Sequence, residues 1–448
     1  MKKALLFLAL FLFSIGIYAQ WTSQRLGFPS GRNISDISIV NANTVWVLST
    51  SDTSGAASNY QTYTKTTNGG TTWTPGTINI GNPNWQIVSL TAIDNNNALV
   101  GAIDTSYATG GGIWSTIDGG ATWFRVNSSA YQNGAAGALV NGVYFFDANN
   151  GLTFGDPVNG KFEIYKTSDG GYDWIQSTGA ANPDVVAGEY GASGQSNFAA
   201  AVGSFWFTTS NGKIYRTTDK GATWSRFTGP TGLTSFYSNS KNGKMIFSDA
   251  NNGLIYGTLD TGATFKLWKT SDGGASWDAG TAYTQPYQYL SYVPGTTILV
   301  GTGFSGTGMT AVASSGKSLD NGVTWSQIDT GTYRYYVKFI NTTTGWASKN
   351  FTSGPTDGIF KFTGSLGVNK FMANSKIVIY PNPTNSVINF ETDQDIISVT
   401  IVDVFGRITK KPIQTNNQID VSDLSSGLYY IEINTANGIF IEKFVKAN

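Results

Sequence analysis

The chain has 448 residues with 54 glycines, 14% aromatic residues and only 12% charged residues, a composition typical of a β-rich exported protein of more than one domain. Its 28 basic and 28 acidic residues balance without any basic run, so the sequence indicates no nucleic-acid partner. It has no cysteine and no histidine, which excludes disulfides, a lipoprotein anchor, the Ser-His-Asp triad and the usual zinc sites.

Residues 1–19 have the pattern of a secretory signal peptide. Lys2 and Lys3 precede an apolar run that ends at the small residue Ala19, as a charged head, an apolar core and a cleavage site require. The alternative is a membrane anchor, but the run is short for a spanning helix and no second hydrophobic segment follows. We expect cleavage after Ala19 and a mature chain without a transmembrane segment.

Six short turns, which we call the box turns, recur along the chain. KTSDGGYDW at 166–174 has near copies at 65–73, 115–123, 216–224, 269–277 and 317–325. The tryptophans that end them are spaced by 50, 51, 50, 53 and 48 residues. A period near fifty with β-type segments between the repeats predicts the blades of a β-propeller.

The number of blades follows from the strands before each box turn. Seven strand–turn–strand pairs, such as FFDANNGLTFG and FSDANNGLIYG, accompany six box turns. After GIFKFTG at 358–364 no further box turn follows, whereas Trp21–Leu26 resembles the strands that follow the box turns. We therefore predict an all-β, seven-bladed propeller over residues 20–366, in which Trp21–Leu26 is the outer strand of the last blade and closes the ring.

The box turns resemble the Asp-box (BNR repeat) of bacterial sialidases, sortilin-type receptors, xyloglucan-degrading hydrolases and photosystem II assembly factors. The resemblance implies a hairpin turn between the third and fourth strands of each blade. Because six equivalent carboxylates around a ring cannot converge on one substrate, we predict a structural role for them. The residues concerned are Asn68, Asp118, Asp169, Asp219, Asp272, Asp320, Trp73, Trp123, Trp174, Trp224, Trp277 and Trp325.

Such box turns leave the connections between strands two and three, and those between blades, on the opposite face, which we call the loop face. These connections are rich in tyrosine, whose rings and hydroxyls suit sugars or extended peptides. The alternative is that the rings close the gaps between blades. The predicted ligand-binding residues are Trp85, Tyr107, Tyr131, Tyr190, Tyr237, Tyr287, Tyr289, Tyr333, Arg334 and Tyr335.

Two carboxylates of the third repeat, Asp156 in FGDPVNGKF and Glu189 in the longest interblade segment, are the candidate catalytic residues. A pair about 5 to 9 Å apart hydrolyses glycosides as acid and nucleophile or base. Sialidase activity is disfavoured, because the family's arginine-isoleucine-proline motif is absent and three of the seven arginines, Arg25, Arg125 and Arg226, lie on fourth-strand segments and not in the loops. No loop has the ligand spacing of a metal site, and we expect no cofactor. Two main hypotheses remain, a module that binds an extracellular glycan or protein and a glycoside hydrolase. A third is an assembly or adhesion role like that of the propeller-type assembly factors, which need no catalytic residues.

From Ile377, after a linker at 367–376, short alternating strands predict a small Ig-like β-sandwich over residues 377–448. YPNP at 380–383, VFGR at 404–407, DLSSGLYYI at 423–431 and the final lysine-bearing strand resemble the type A C-terminal sorting domain of Bacteroidetes proteins. The resemblance implies Sec transport, recognition by the type IX secretion machinery, and release or attachment at the cell surface. The alternative is a sandwich used in adhesion. The matching positions include Pro381, Asn382, Pro383, Gly406, Gly427, Tyr429 and Lys443.

Overall fold

The computed structural model divides into two compact units, residues 1–365 and 366–448. The predicted signal peptide and linker lie outside the residues that the structure describes, as do Tyr107, Tyr237 and Gly406. The described residues are 20–28, 32–51, 60–106, 110–126, 130–131, 139–179, 182–191, 198–201, 203–233, 236, 244–258, 265–305, 312–349, 358–366, 378–391, 396–403, 408–410, 418–435 and 438–447.

The first unit is a β-propeller built of seven four-stranded antiparallel sheets in its described residues, which we call blades 1 to 7. Blades 1 to 3 are β2 (Arg32–Ile39), β3 (Val45–Ser51), β4 (Thr62–Thr66), β5 (Thr74–Thr77); β6 (Trp85–Ala92), β7 (Ala98–Asp104), β8 (Gly111–Thr116), β9 (Phe124–Arg125); and β10 (Val140–Phe145), β11 (Gly151–Val158), β12 (Lys161–Thr167), β13 (Ile175–Gln176).

Blades 4 to 6 repeat the same strand order along the chain. They are β14 (Phe198–Ala201), β15 (Ser204–Thr208), β16 (Lys213–Thr217), β17 (Ser225–Thr228); β18 (Lys244–Phe247), β19 (Gly253–Thr258), β20 (Phe265–Thr270), β21 (Thr281–Ala282); and β22 (Tyr289–Tyr292), β23 (Leu299–Ser305), β24 (Val312–Ser318), β25 (Ser326–Thr330).

Blade 7 joins the two ends of the propeller. It contains β26 (Val337–Asn341), β27 (Thr344–Ser348), β28 (Ile359–Phe362) and, as its outer strand, β1 (Trp21–Gln24), with Trp21 opposite Phe362. The predicted closure by an N-terminal strand is confirmed. The strand ends at Gln24 instead of Leu26, because the chain then crosses to blade 1, where the Thr64 hydroxyl donates to the Leu26 carbonyl at 2.9 Å.

The core of the propeller lies between neighbouring blades. The second strands are almost continuously apolar and buried, as in the runs 45–48 and 205–207, because each blade is covered by another blade on both faces. The fourth strands are more exposed, and 73% of Ile175 in β13 is accessible. One interblade cluster packs Phe154 and Phe207 with stacked rings 4.9 Å apart. Packing between blades therefore holds the ring together.

The box turns connect the third and fourth strands, as at Asp219 between β16 and β17. The Asp219 carboxylate accepts hydrogen bonds from the Thr223 amide at 2.8 Å and from the hydroxyls of Thr223 and Thr217 at 2.6 and 2.8 Å. The pKa of the Asp219 carboxyl is lower than its ordinary value, because the stabilising effect of these hydrogen bonds on the carboxylate is larger than the opposing effect of burial. Gly221 has φ +83°, which favours glycine. The carboxylate is thus occupied within its own turn.

We expect Asp219→Ala to lower the free energy of unfolding by about 1 kcal/mol, because hydrogen bonds are lost from a partly exposed turn. Asp219→Asn is the matched control. Asn68 in blade 1 already makes the equivalent bonds, accepting from the Thr72 amide at 2.9 Å and donating to its hydroxyl at 2.9 Å. Urea unfolding of the full chain measures both variants, and equal losses for alanine and asparagine would contradict this role.

The second unit is a β-sandwich of two sheets around the buried residues Ile388, Ile401, Ile431 and Phe444. In the described part of the chain, no helix has the length and apolarity that crossing a membrane requires. The sheets contain β29 (Val378–Tyr380), β30 (Val387–Glu391) and β33 (Gln418–Asp420), and β32 (Ile408–Lys410), β31 (Ile396–Asp403), β34 (Gly427–Thr435) and β35 (Gly438–Lys446).

Candidate functional site

A central channel runs through the propeller, and the first strand of every blade lines it. Its cavity of about 470 Å³ is bordered by residues of β2, β6, β10, β14, β18, β22 and β26. The first strand is the edge strand of each sheet, so half of its backbone groups lack a strand partner. The wall of the channel is therefore a ring of exposed strand edges.

Side chains of one blade bond to the strand edge of the next. The Asp36 carboxylate in blade 1 accepts from the Leu90 amide in blade 2 at 3.1 Å. The Lys338 ammonium in blade 7 donates to the Ile37 carbonyl in blade 1 at 2.8 Å. Because such bonds satisfy the backbone, the wall can present the remaining side chains to a ligand in fixed positions.

One side of the channel carries polar groups near the loop face. This polar arc consists of the lining residues Tyr289 in blade 6, Tyr336 and Lys338 around the start of β26 in blade 7, and Asp36 in blade 1. It is extended by Lys244 at the start of β18 in blade 5, beside Tyr289. The Lys244 ammonium lies 4.1 Å from the centre of the Tyr289 ring. Lys338 lies 3.5 Å from the Asp36 carboxylate. The arc therefore spans four consecutive blades.

The charged groups of the polar arc have shifted pKa values. Burial raises the pKa of the Asp36 carboxyl above its ordinary value, although the nearby Lys338 ammonium opposes the rise. Burial alone lowers the pKa of Lys244 to about 8. Both shifts reflect the cost of holding a charge away from water.

Aromatic rings continue from the polar arc to the surface of the loop face. The series, which we call the aromatic ribbon, runs Tyr336, Tyr289, Tyr335, Phe304, Tyr333, with successive ring centres 5.3, 5.4, 6.3 and 5.7 Å apart. All five rings are partly accessible, and 39% of Tyr333 is exposed. The ribbon thus leads from the channel to solvent.

Local backbone contacts fix the ribbon. The Gln288 side chain accepts from the Phe304 amide at 3.0 Å and donates to its carbonyl at 2.7 Å, as a neighbouring strand would. The Thr302 hydroxyl donates to the Tyr335 carbonyl at 2.6 Å. Burial raises the pKa of the Tyr289 hydroxyl. Within the described residues, no protein group bonds to the hydroxyls of Tyr289, Tyr335 or Tyr336, which leaves them available to a ligand.

The structure brings three of the predicted ligand-binding residues together in the ribbon, namely Tyr289, Tyr333 and Tyr335. Trp85 and Tyr287 are buried in interblade clusters. Tyr131 is buried as well, and its hydroxyl donates to the Glu163 carbonyl at 2.9 Å. These rings fill the gaps between blades, which was the alternative interpretation of the tyrosine-rich segments.

Two further predicted ligand-binding residues lie apart from the ribbon. Tyr190 is 59% exposed in the segment between blades 3 and 4. Arg334 is only 3% exposed, makes two bonds of 2.8 and 2.7 Å to the Asp329 carboxylate, and lies 5.1 Å from the ring of Trp21. Arg334 is therefore positioned to hold the closing strand rather than to meet a ligand.

Asp156 and Glu189, the candidate catalytic residues, are both buried on the loop-face side of blades 3 and 4. One Asp156 oxygen accepts from the Asn141 side chain at 2.9 Å and from the Gly191 amide at 3.0 Å. Burial raises the pKa of Asp156 to about 6, although the hydrogen bonds from Asn141 and Gly191 favour the charged form and so oppose the rise. A carboxyl with this pKa can carry a proton near neutral pH.

Glu189 is held more tightly than Asp156. One of its oxygens accepts from the Val186 amide at 2.8 Å and from the Tyr215 hydroxyl at 2.9 Å, and the other accepts from the Thr209 hydroxyl at 2.5 Å. These bonds tie the interblade segment to blade 4. In the described ranges, no three acidic side chains group closely enough to hold a metal ion.

Sequence reasoning missed Lys244, Phe304, Tyr336, Lys338 and Asp36. A register comparison of the repeats would have found Lys244. It lies opposite Tyr256 in the fourth residue pair from the hairpin turn, and no other blade has a lysine in that pair. The equivalent residues are Asp36, Ser89, Gly142, Phe198, Tyr289 and Val337.

In the second unit, the predicted sorting positions lie at the ends of strands. The Asn382 side chain donates to the Lys443 carbonyl at 2.9 Å and accepts from the Val445 amide at 3.0 Å, which ties the turn of Pro381 and Pro383 to β35. Tyr429 stacks on Phe444 with ring centres 5.6 Å apart. Gly427 begins β34, and Lys443 is exposed in β35.

Comparison with known proteins agrees with this division. Residues 378–447 match the family described as secretion system C-terminal sorting domain. The sequence matches none of the curated proteins. Among solved structures, YCF48 bound to a D1 peptide is similar, with 17% identity, a TM-score of 0.51, and coverage of 78% of this chain and 98% of that one.

Two other solved structures are similar at lower scores. YCF48 from Cyanidioschyzon merolae has 18% identity and a TM-score of 0.43, over 77% of this chain and 98% of that chain. The GH74 enzyme of Niastella koreensis has 16% identity and a TM-score of 0.45, over 94% of this chain and 67% of that chain. The seven four-stranded sheets and the likeness to YCF48 bound to a D1 peptide show a β-propeller. The match at residues 378–447 shows that this propeller carries a sorting domain of the type IX secretion system, which exports it to the cell surface or the extracellular space.

Proposed function

We propose that the propeller is a non-catalytic recognition module that binds an extracellular glycan along the aromatic ribbon. The observation that carries the proposal is the ribbon itself, five accessible rings in contact with one another between the channel and Tyr333. Sugar rings have apolar faces that stack on aromatic rings, and their hydroxyl groups pair with tyrosine hydroxyls.

Export and a fixed site support this function. Type IX secretion delivers the propeller to the cell surface or the extracellular space, where it can meet an extracellular glycan. The ribbon is held by Gln288 and Thr302, so little side-chain entropy remains to be lost when a ligand binds.

A glycoside hydrolase is the second candidate, and the pKa of Asp156 near 6 favours it, because a general acid must be protonated. Glu189 is a weak partner for this chemistry. Its two oxygens already accept three hydrogen bonds, so attack on a sugar would require the loss of these contacts.

We expect Tyr333→Ala to weaken glycan binding by about tenfold, the effect of losing one stacked ring. Tyr333 is exposed, so its removal should leave the fold intact. Tyr172→Ala is the matched control, because this tyrosine is 55% exposed on the box turn of blade 3, on the opposite face. A glycan array of the full chain, followed by calorimetry on each hit, provides the measurement.

The same samples test for catalysis by assay of released reducing sugar. We expect no product, and equal binding by Asp156→Asn and Glu189→Gln. Product formation that either substitution abolishes would replace this proposal with the hydrolase. Equal affinities of Tyr333→Ala and Tyr172→Ala for every glycan would also refute binding along the ribbon.

A further inference from the structure

Lys244 is a partly buried cation without an anionic partner. In the part of the chain that the structure describes, no carboxylate pairs with its ammonium, and only the face of the Tyr289 ring compensates its charge, at 4.1 Å. Burying an unpaired ammonium group costs free energy. A ligand anion at this position would recover part of that cost.

The propeller fold does not require a lysine here. None of the corresponding residues of the other six blades is a lysine: most are uncharged, such as Gly142 and Val337, and the one charged residue, Asp36 in blade 1, has its own partners in Lys338 and the Leu90 amide. A residue that departs from the pattern of its repeat and weakens the fold is expected at functional positions. Lys244 therefore points to binding rather than to packing.

Among the described residues, the surroundings of Lys244 have an excess of positive charge. The polar arc contains two lysines and one carboxylate, Asp36, which gives 2 − 1 = +1 when all three are ionised. Asp36 is occupied, because the Leu90 amide and Lys338 both bind it. Tyr289 is also a member of the aromatic ribbon, so the unpaired cation lies next to the stacking surface.

We propose that the ligand is an acidic glycan whose anionic group pairs with Lys244 while its sugar rings stack along the aromatic ribbon. This inference rests on the proposed function and narrows its ligand class. The anionic group is a uronic carboxylate or a sulfate ester. A single ion pair in a partly desolvated site distinguishes the acidic glycan from its neutral counterpart.

The test measures full-chain binding to an oligogalacturonate, to its neutral methyl ester, and to a sulfated galactan oligosaccharide. Lys244→Met removes the charge but keeps an apolar side chain against Tyr289. Lys266→Met, on β20 of the same blade, changes the net charge equally and is the control. We expect Lys244→Met to weaken binding of the preferred acidic glycan by about tenfold or more, with ester binding and the Lys266→Met affinities unchanged.

Each result decides between the two proposals. Equal binding of acid and ester, insensitive to Lys244→Met but reduced by Tyr333→Ala, would overturn the acidic ligand and leave glycan recognition standing. Binding of an acidic peptide instead of any glycan would overturn both. A preference for the galacturonate or for the sulfated oligosaccharide, lost in Lys244→Met, supports the inference and identifies the anionic group. Unfolding curves of each variant ensure that lost affinity is not lost structure.

Discussion

Trp21→Ala is expected to lower the free energy of unfolding of the full chain by about 3 to 5 kcal/mol, the range for removing a buried aromatic side chain. Trp21 is 4% exposed. Its ring packs against Phe339 at 5.9 Å and Phe362 at 5.1 Å, and its indole nitrogen donates to the Ser315 hydroxyl at 3.1 Å. One residue of the closing strand thus contacts both blade 6 and blade 7.

The loss of stability in Trp21→Ala should be large, because Trp21 belongs to a chain of hydrogen bonds that joins the closing strand to blade 6. The Ser315 hydroxyl that accepts from Trp21 also donates to Asp329, and Asp329 holds Arg334. Ile175→Ala, at a largely exposed position, is the control and should change stability by less than about 0.5 kcal/mol. Urea unfolding followed by circular dichroism compares them. Similar midpoints for the two variants would show that the ring does not depend on its N-terminal strand.

The closure could be predicted from sequence because its signals are local. Trp21–Leu26 resembles strands that follow the box turns, and its place as the outer strand of the last blade follows once the blades are counted. The register, with Trp21 opposite Phe362, is given by the structure. The end of the strand could not be predicted. It depends on the bond from Thr64 to the Leu26 carbonyl, a contact between segments that are distant in sequence.

The candidate site was predicted only in part, for a physical reason. Tyr287 and Tyr289 are two residues apart, yet Tyr287 is buried between blades while Tyr289 lines the channel. Composition cannot separate them, because the difference depends on where the interblade segment becomes a strand. Lys244 was not predicted, because a single lysine is common in any sequence. Its position becomes unusual only when the register of its strand is compared with the other blades.

Lys338→Met is expected to lower the free energy of unfolding by about 2 kcal/mol at neutral pH. Removing one partner of a buried ion pair costs about 3 to 5 kcal/mol. The Lys338 side chain is 41% exposed, so water replaces part of what is lost. The remaining cost arises at Asp36, which is buried and keeps only backbone partners for its carboxylate, Leu90 and Ile37.

The loss of unfolding free energy in Lys338→Met should depend on pH, and the titration of Asp36 determines whether it grows or shrinks as the pH falls. Burial raises the pKa of this carboxyl in the folded state above its ordinary value of 3.8, and Lys338 opposes the rise. Without Lys338 the folded-state pKa rises further. A carboxyl with a raised pKa contributes stability below its unfolded pKa and loses that contribution as the pH increases through its folded pKa. The deficit of Lys338→Met should therefore shrink as the pH falls toward about 4.

Asp36→Asn combined with Lys338→Met is the decisive control for this titration. Asparagine keeps an oxygen that can accept from the Leu90 amide but cannot ionise. The double variant should consequently regain part of the lost stability at neutral pH, and its remaining deficit should be independent of pH. Urea unfolding at a series of pH values gives both curves. A pH-independent loss in Lys338→Met alone would mean that Lys338 acts through its bond to the Ile37 carbonyl and not through its charge.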